Sequence, residues 1–403
     1  MDDLKSPEFG EAMQTGGPRT ISFGPFQLDL ARRRLSRDGL ETPLGERALD
    51  VLCTLVAADG EVVSKRDLLA KVWPGVTVEE NNLQVQVYAL RRALGEDGDA
   101  RGYIRTASGR GYRFVGDGPP SAAPAVPEQD IRYARGRDGA HLAYAIAGEG
   151  PPLVRAPLWM SHVEHDWKSS IWSGLLVALA RSHALLRYDG RGMGLSDRDA
   201  AISFDAAVDD LEAVVDAAGL ERFALLGISQ GAAVSLAFAA RRPERVAKLV
   251  LAGGYARGRL VVAPESAAAL EATKTLVREG WGRDNPAFRQ IFTSLGFPEA
   301  TAAQMHELNE LQRLSATGEA AARIMDMQAH IDVSADLARI RCPTLVLHSR
   351  DDAWIPVERS REIAREVTGA RFREIAGANH VVLPQSPQFA DYVGRILAFL
   401  AEP

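Results

Sequence analysis

Cysteine is nearly missing from this chain: Cys53 and Cys342 are the only two in 403 residues. They stand far apart, form no C-x-x-C, and have no His/Cys cluster beside them, so buried thiols in a reduced cytosolic protein are expected, with no disulfide framework. No metal site and no bound cofactor are expected either. No stretch approaches the roughly 18 consecutive apolar residues that cross a bilayer. The opening MDDLKSPEFGEAMQTGG is acidic and lacks an apolar core, which argues against a secretion signal. A cytoplasmic protein with no membrane partner is expected. A strong positive balance is also lacking: the net charge is −6 and the isoelectric point about 5.8.

Charge is present locally instead. Residues 19–116 hold 15 Lys/Arg against 13 Asp/Glu, and Asn81 to Arg113 hold six arginines against three acids. A basic strip matters more for DNA than the total does. The length favours two domains, and composition is otherwise ordinary, 46% hydrophobic and 25% charged.

After a polar, Gly/Pro-rich tail (1–19) that reads as disordered, residues 20–116 pattern as a first domain. Short strands around Ile21–Phe23, Phe26–Asp29 and Arg34–Ser36 lead to an Asp38-Gly39 turn. Three helices follow, over Glu46–Ala57, Lys65–Val72 with Ser64 as N-cap, and about Glu79–Leu94. The last has Leu83, Val87, Leu90 and Leu94 on one face. Its opposite face offers Asn81, Asn82, Gln84, Val85, Gln86, Tyr88 and Arg92, amides of the kind that read adenine edges in the major groove. Then Tyr103–Thr106 and Tyr112–Val115 form a hairpin, a wing with Arg110 at its tip and Arg113 on its second strand, suited to phosphate or minor-groove contact.

In order along the chain, Pro43-Leu44 to Leu49, Val63-Ser64-Lys65 to Trp73, Val78 to Leu83, Leu90 to Leu94 and Ile104 to Phe114 resemble the winged-helix DNA-binding domain of the OmpR/PhoB family, including regulators of the ToxR/CadC type. The resemblance implies a recognition helix at about Glu79–Leu94 and phosphate contacts from Arg91 and the wing. It departs from the family in showing no receiver domain ahead of the winged helix and no membrane helix after it.

Residues 117–130 are Pro/Ala-rich and read as a linker. From 131 to 403 strands alternate with helices, the pattern of a mostly parallel α/β sheet. Leu225 to Ala233 contains Gly227-Ile228-Ser229-Gln230-Gly231, a G-x-S-x-G between a strand and a helix, where a strained turn lifts a serine hydroxyl above a sheet. The Asp189-Gly190-Arg191-Gly192-Met193-Gly194 run precedes no Lys-Ser/Thr and reads as a turn, not as a nucleotide loop. His162 and His165 lack a helix or partner cluster for a metal and read as pocket lining or surface.

Order and motifs together resemble the α/β-hydrolase fold, carried by Asp189 to Asp197, Gly227 to Gly231, Arg350-Asp351-Asp352 with Pro356, and Gly377-Ala378-Asn379-His380. The resemblance implies Ser229 as nucleophile and His380 as base. Asp351 and Asp352 compete for the acid, and the family's spacing to the following proline selects Asp352. Gln230 N–H supplies one oxyanion donor. Where relatives carry His-Gly, this chain has Arg155-Ala156-Pro157-Leu158-Trp159. The second donor must therefore come from Leu158 or Trp159, because proline has none, and hydrolysis is expected to be slow. The insertion at about 254–339 sits where the fold places its cap. Leu260, Leu276, Trp281, Phe288, Ile291, Phe292, Leu295, Met305, Met325 and Met327 are its candidate pocket roof, most of them expected to be ordinary packing.

Two functions are expected from this arrangement. One, the favoured reading of two joined domains, is a regulator that binds promoter DNA as a homodimer and senses a small acyl-type effector. The other is an esterase or lactonase whose winged helix only localises or assembles it. Dehalogenation is disfavoured, because the elbow holds serine and not aspartate.

Overall fold

The computed structural model describes residues 20–23, 26–30, 32–37, 40–75, 78, 80–95, 102–107, 110–116 and 127–402. The expected tail, the Asp38-Gly39 turn, and residues 117–126 of the expected linker lie outside the described residues. The chain divides into two compact units, Met1–Ala125 and Val126–Pro403.

In the first unit, strands β1 (Thr20–Phe23), β2 (Phe26–Asp29), β3 (Arg34–Arg37) and β4 (Leu40–Glu41) form an antiparallel meander. Helices Glu46–Ala57, Lys65–Val72 and Glu80–Ala93 follow, then a three-stranded sheet of β5 (Val63–Ser64), β7 (Gly111–Phe114) and β6 (Ile104–Ala107). Ser64 caps the second helix, its Oγ accepting from Asp67 N at 3.1 Å, because the first turn has backbone donors without partners. Leu49, Leu52, Leu68, Leu83, Val87 and Leu90 bury their helix faces against Phe23, Phe26, Tyr103 and Phe114. Those rings meet mostly edge to face at 5.0–5.8 Å, the arrangement that ring quadrupoles favour.

The second unit is built on an eight-stranded sheet. Its strands are β8 (Gln129–Arg135), β9 (His141–Ala147), β10 (Pro152–Arg155), β11 (Ala184–Tyr188), β12 (Phe223–Ile228), β13 (Val246–Ala252), β14 (Thr344–Ser349) and β15 (Arg371–Ile375), in spatial order 15-14-13-12-10-11-9-8. Strands β10 to β15 pair in parallel, and β9 joins β11 and β8 antiparallel. Both faces are covered, so strand side chains alternate between two cores. Leu225, Leu249 and Leu251 pack with helices Phe204–Ala217 and Gln230–Arg241, whereas Leu226 and Val250 pack with Ser173–Ala180 and Phe389–Ala401. The chain winds outward from β10 to β11 and then back to β12 on its other side. That reversal opens a crevice at the carboxyl ends of β10 and β12, where ligands of such sheets bind.

The Asp189–Gly194 run forms turns that Asp189 ties together, accepting from Val163 N and Leu195 N at 2.9 Å each. Arg191 anchors the same loop through Asp210 (2.5 Å), Asp138 (2.7 Å) and Ala201 O (2.7 Å). Cys53 and Cys342 are free and lie half-buried, not fully buried as expected.

At the wing, Gly111 sits opposite Ser64, and a Cβ there would stand 2.0 Å from Val63 O. The backbone of β5 cannot withdraw without losing its pairing. Gly111→Ala is expected to destabilise the first unit by about 2–3 kcal/mol, read as a lowered denaturant midpoint at unchanged slope.

Candidate active site and DNA-facing surface

Strand β12 ends at Ile228, and the next residue turns sharply. Ser229 takes φ 54° and ψ −124°, left-handed for a residue with a Cβ, and costs about 1–3 kcal/mol of strain held by its surroundings. Its N–H donates to Ala252 O at 2.9 Å, which pins the turn to β13. The flanking glycines are explained by contact distances. A Cβ at Gly227 would meet Ala232 Cα and Gly231 O at 2.6 Å, and one at Gly231 would meet Pro157 O at 2.8 Å. Gly231 therefore brings the Ala156–Trp159 loop beside the serine. Gln230 opens the following helix, where a first-turn N–H has no helical acceptor.

Asp352 and His380 arrive from the loops after β14 and β15. Asp352 Oδ2 lies 2.6 Å from His380 Nδ1, and both residues are buried. Its Oδ1 accepts from Trp354 N at 2.9 Å and Ile355 N at 3.1 Å. A second histidine, His348 on β14, places Nε2 3.3 Å from Asp352 Oδ2. Burial pushes the Asp352 pKa up, but the hydrogen bonds from His348 and His380 outweigh it and hold the carboxyl well below the usual range. Asp351 is exposed, and its backbone N–H donates to Gly377 O. Of the two neighbouring acids, Asp352 alone meets the histidine.

The other ring nitrogen, His380 Nε2, is buried without a hydrogen bond. It belongs to a small cavity of about 30 Å³ that Ser229 also lines. Leu158, Trp159, Met160 and Trp172 form one wall, and Phe292, Phe297, Leu308 and Leu311 of the insertion form another. The insertion folds into helices Ala267–Gly280, Ala287–Gly296, Ala302–Ser315 and Gly318–Ala329 with the short Arg259–Val262. Of its candidate roof residues only Phe292 lines the cavity; Trp281 packs behind Trp159 at 5.6 Å. Leu276, Ile291 and Leu295 face outward. Thr293 and Gln312, absent from the expected set, line the cavity as its polar members from the insertion.

The surface of helix Glu80–Ala93 carries Asn82, Gln84, Val85, Tyr88 and Arg92 exposed, with Tyr88 69% and Val85 53% accessible. Gln86 is half-buried, and the side chain of Asn81 lies outside the described residues. Arg110 and Arg113 are exposed on the wing. Arg91 turns inward, donating from Nη2 to Ile104 O (2.9 Å) and Thr106 Oγ1 (3.0 Å), and so braces the helix against β6.

Family comparisons give the fold its name. The model of the α/β hydrolase fold matches residues 165–387. The chain belongs to the α/β hydrolase fold family. This α/β hydrolase carries a second matched domain, "Transcriptional regulatory protein, C terminal", over residues 39–114. It is similar to a pyrrolizixenacetamide deacetylase from Xenorhabdus hominickii, 27% identical over 65% of this chain and 95% of the relative. A putative carbamate hydrolase RutD from Azorhizobium caulinodans is 29% identical over 63% of this chain and 93% of its own length. The crystal structure of a hydrolase from Pseudomonas aeruginosa PA01 superposes with a TM-score of 0.56 at 24% identity, covering 68% of this chain and 99% of that one. At that identity the likeness is one of fold.

His162 and His165 do not line the cavity, contrary to the pocket reading. Their rings pack at 4.3 Å, and His162 is buried as the N-cap of helix Val163–Lys168. Burial, helped by the neighbouring His165 charge, pushes the His162 pKa down to about 4. The unfolded chain then binds the proton more tightly, so stability falls as pH drops from about 6.5 toward 4. His162→Asn, which keeps a capping acceptor, is expected to remove up to about 3 kcal/mol of that acid loss, measured by denaturant titrations at pH 7.5 and 4.5.

Proposed function

We propose that this chain is a one-component transcription regulator: the winged helix binds promoter DNA, and the hydrolase-fold domain holds a small acyl-type ligand against Ser229. The observation that carries this reading is the joining, in one chain, of a transcription-regulator DNA-binding domain to a hydrolase fold with a serine in a small, mostly apolar cavity. A ligand that couples to DNA affinity by only about 1–3 kcal/mol changes occupancy 5- to 150-fold. The protein acts in the cytoplasm as a homodimer on paired half-sites, the usual way such helices gain affinity and register.

On DNA, the helix presents Asn82, Gln84, Val85, Gln86 and Tyr88 to the groove, with Arg92, Arg110 and Arg113 on phosphates. Arg91 serves through its brace to the wing strand. In the cavity the ligand's carbonyl is attacked by Ser229 Oγ, whose proton passes to His380 Nε2 while Asp352 holds the imidazolium. Gln230 N–H and Trp159 N–H receive the oxyanion. As the tetrahedral centre collapses, the bond from the acyl carbon to the leaving atom breaks and that atom takes the proton from His380; water, deprotonated by His380, then cleaves the acyl-serine slowly, so that turnover resets the signal. The 2.6 Å Asp352–His380 hydrogen bond favours a second reading, an esterase or lactonase of ordinary speed whose winged helix only localises or assembles it.

Two measurements test the proposal. A fluorophosphonate should label the full chain at Ser229, with labelling lost in Ser229→Ala and reduced about a hundredfold or more in His380→Ala. Fragments of the chain's own upstream region should be retarded at low salt, and Arg92→Ala or Arg110→Ala should each flatten the salt dependence by about one unit of slope. Rapid ester turnover with no retardation at any salt would overturn the regulator in favour of the second reading.

A further inference from the structure

The cavity beside Ser229 is lined mostly by apolar residues, and two residues of its lining carry a buried polar atom with no partner. Gln312 Oε1 is buried without a hydrogen bond, and so is Trp159 Nε1. Both residues line the cavity, and both are at least nine-tenths buried, Gln312 at 7% and Trp159 at 9% exposure. One atom is an acceptor and the other a donor. An unmet polar atom in such surroundings costs about 1–3 kcal/mol, so each favours a ligand that completes it.

The orientation of the Gln312 amide is fixed by its neighbours. Asn309 Nδ2 donates to Gln290 Oε1 at 2.6 Å, which leaves Asn309 Oδ1 to accept from Thr293 Oγ1 at 2.7 Å. With its proton committed there, Thr293 Oγ1 accepts from Gln312 Nε2 at 2.8 Å, and Gln312 Nε2 also donates to Leu308 O at 3.3 Å. A flipped amide would set two acceptors against each other at Leu308 O. Oε1 is therefore the atom left over. Trp159 is held as firmly, between Trp281 and Phe292, each 5.6 Å away.

We propose that this cavity selects a short acyl ligand that carries an O–H or N–H donor away from its carbonyl: Gln312 Oε1 receives that donor, and Trp159 Nε1 donates to the carbonyl oxygen or another acceptor of the ligand. The proposal rests on the reading of the cavity as a ligand site and names the ligand's chemistry. Size restricts the acyl part, since about 30 Å³ gives room for roughly two water-sized groups before the cap side chains shift. A plain hydrocarbon acyl chain can meet Trp159 Nε1 through its carbonyl but leaves Gln312 Oε1 unmet. A hydroxyacyl compound satisfies both.

A ligand pair that cannot be hydrolysed separates this from the question of turnover. 4-Hydroxy-2-butanone and 2-pentanone have the same number of heavy atoms and differ by an O–H against a methyl. Binding to the full chain is followed by the fluorescence of Trp159, Trp172 and Trp354, which line the cavity. The ratio of the two dissociation constants is expected to move by tenfold or more toward the methyl compound in Gln312→Met. Trp159→Phe should weaken both ketones. An unchanged ratio in Gln312→Met overturns the proposal and means that water serves Oε1. So does the lack of any response to either ketone in the wild type. Fluorophosphonate labelling reports separately on Ser229, so an unreactive serine with an intact ketone preference sinks the hydrolytic reading alone.

Discussion

The close approach of three backbone segments around Ser229 is the constraint on which the site depends. The end of β12, the first turn of helix Gln230–Arg241 and the Ala156–Trp159 loop come within contact distances that no Cβ could share at Gly227 or Gly231. The serine itself accepts a left-handed backbone in consequence. Such strain persists only because the surroundings over-determine it, and here they do. The helix is buried along nearly its whole length, and β12 lies in the middle of an eight-stranded sheet. A cooperative core thus holds one residue in a conformation that it would not take alone.

Asp352 and His380, the proposed partners of Ser229, are held by a different kind of interaction. Asp352 gathers two backbone donors and two histidines, so its ionised form is stabilised against the cost of burial. His380 is in turn tied to the insertion, since its N–H donates to Gly296 O at 2.7 Å, and its ring lies 5.3 Å from Trp354. A Cβ on Gly296 would meet that same tryptophan ring at 2.4 Å. The cap helix Ala287–Gly296 therefore touches the histidine and supplies Phe292 to the cavity wall. Any shift of this helix acts on both at once.

Much of this was legible in the sequence because the signals are local. The elbow motif, Ser64 before Lys65, and the alternation of apolar strands with helices each depend on neighbours along the chain. The helix Glu46–Ala57 was readable to the residue for the same reason. The roof of the cavity was not. Leu276, Ile291 and Leu295 look as apolar as Phe292, yet they point outward, because which face of a cap helix turns inward is set by its packing partners. Arg91 likewise reads as a surface cation beside Arg92, and only the position of β6 draws it inward.

The sequence by itself determined the order of the elements through periodicity, and its resemblance to two families marked Ser229, His380 and Asp352 as site candidates. Tertiary structure placed the Asp352 side chain 2.6 Å from His380 and left Asp351 exposed, because a one-residue step in a loop sends neighbouring side chains in different directions. It also decided that Thr293 and Gln312 line the cavity with Ser229, and that Gln312 keeps one acceptor unmet. Those facts join segments well separated along the chain, 28 residues for Asp352 and His380, and no pattern along the chain encodes the distance between them.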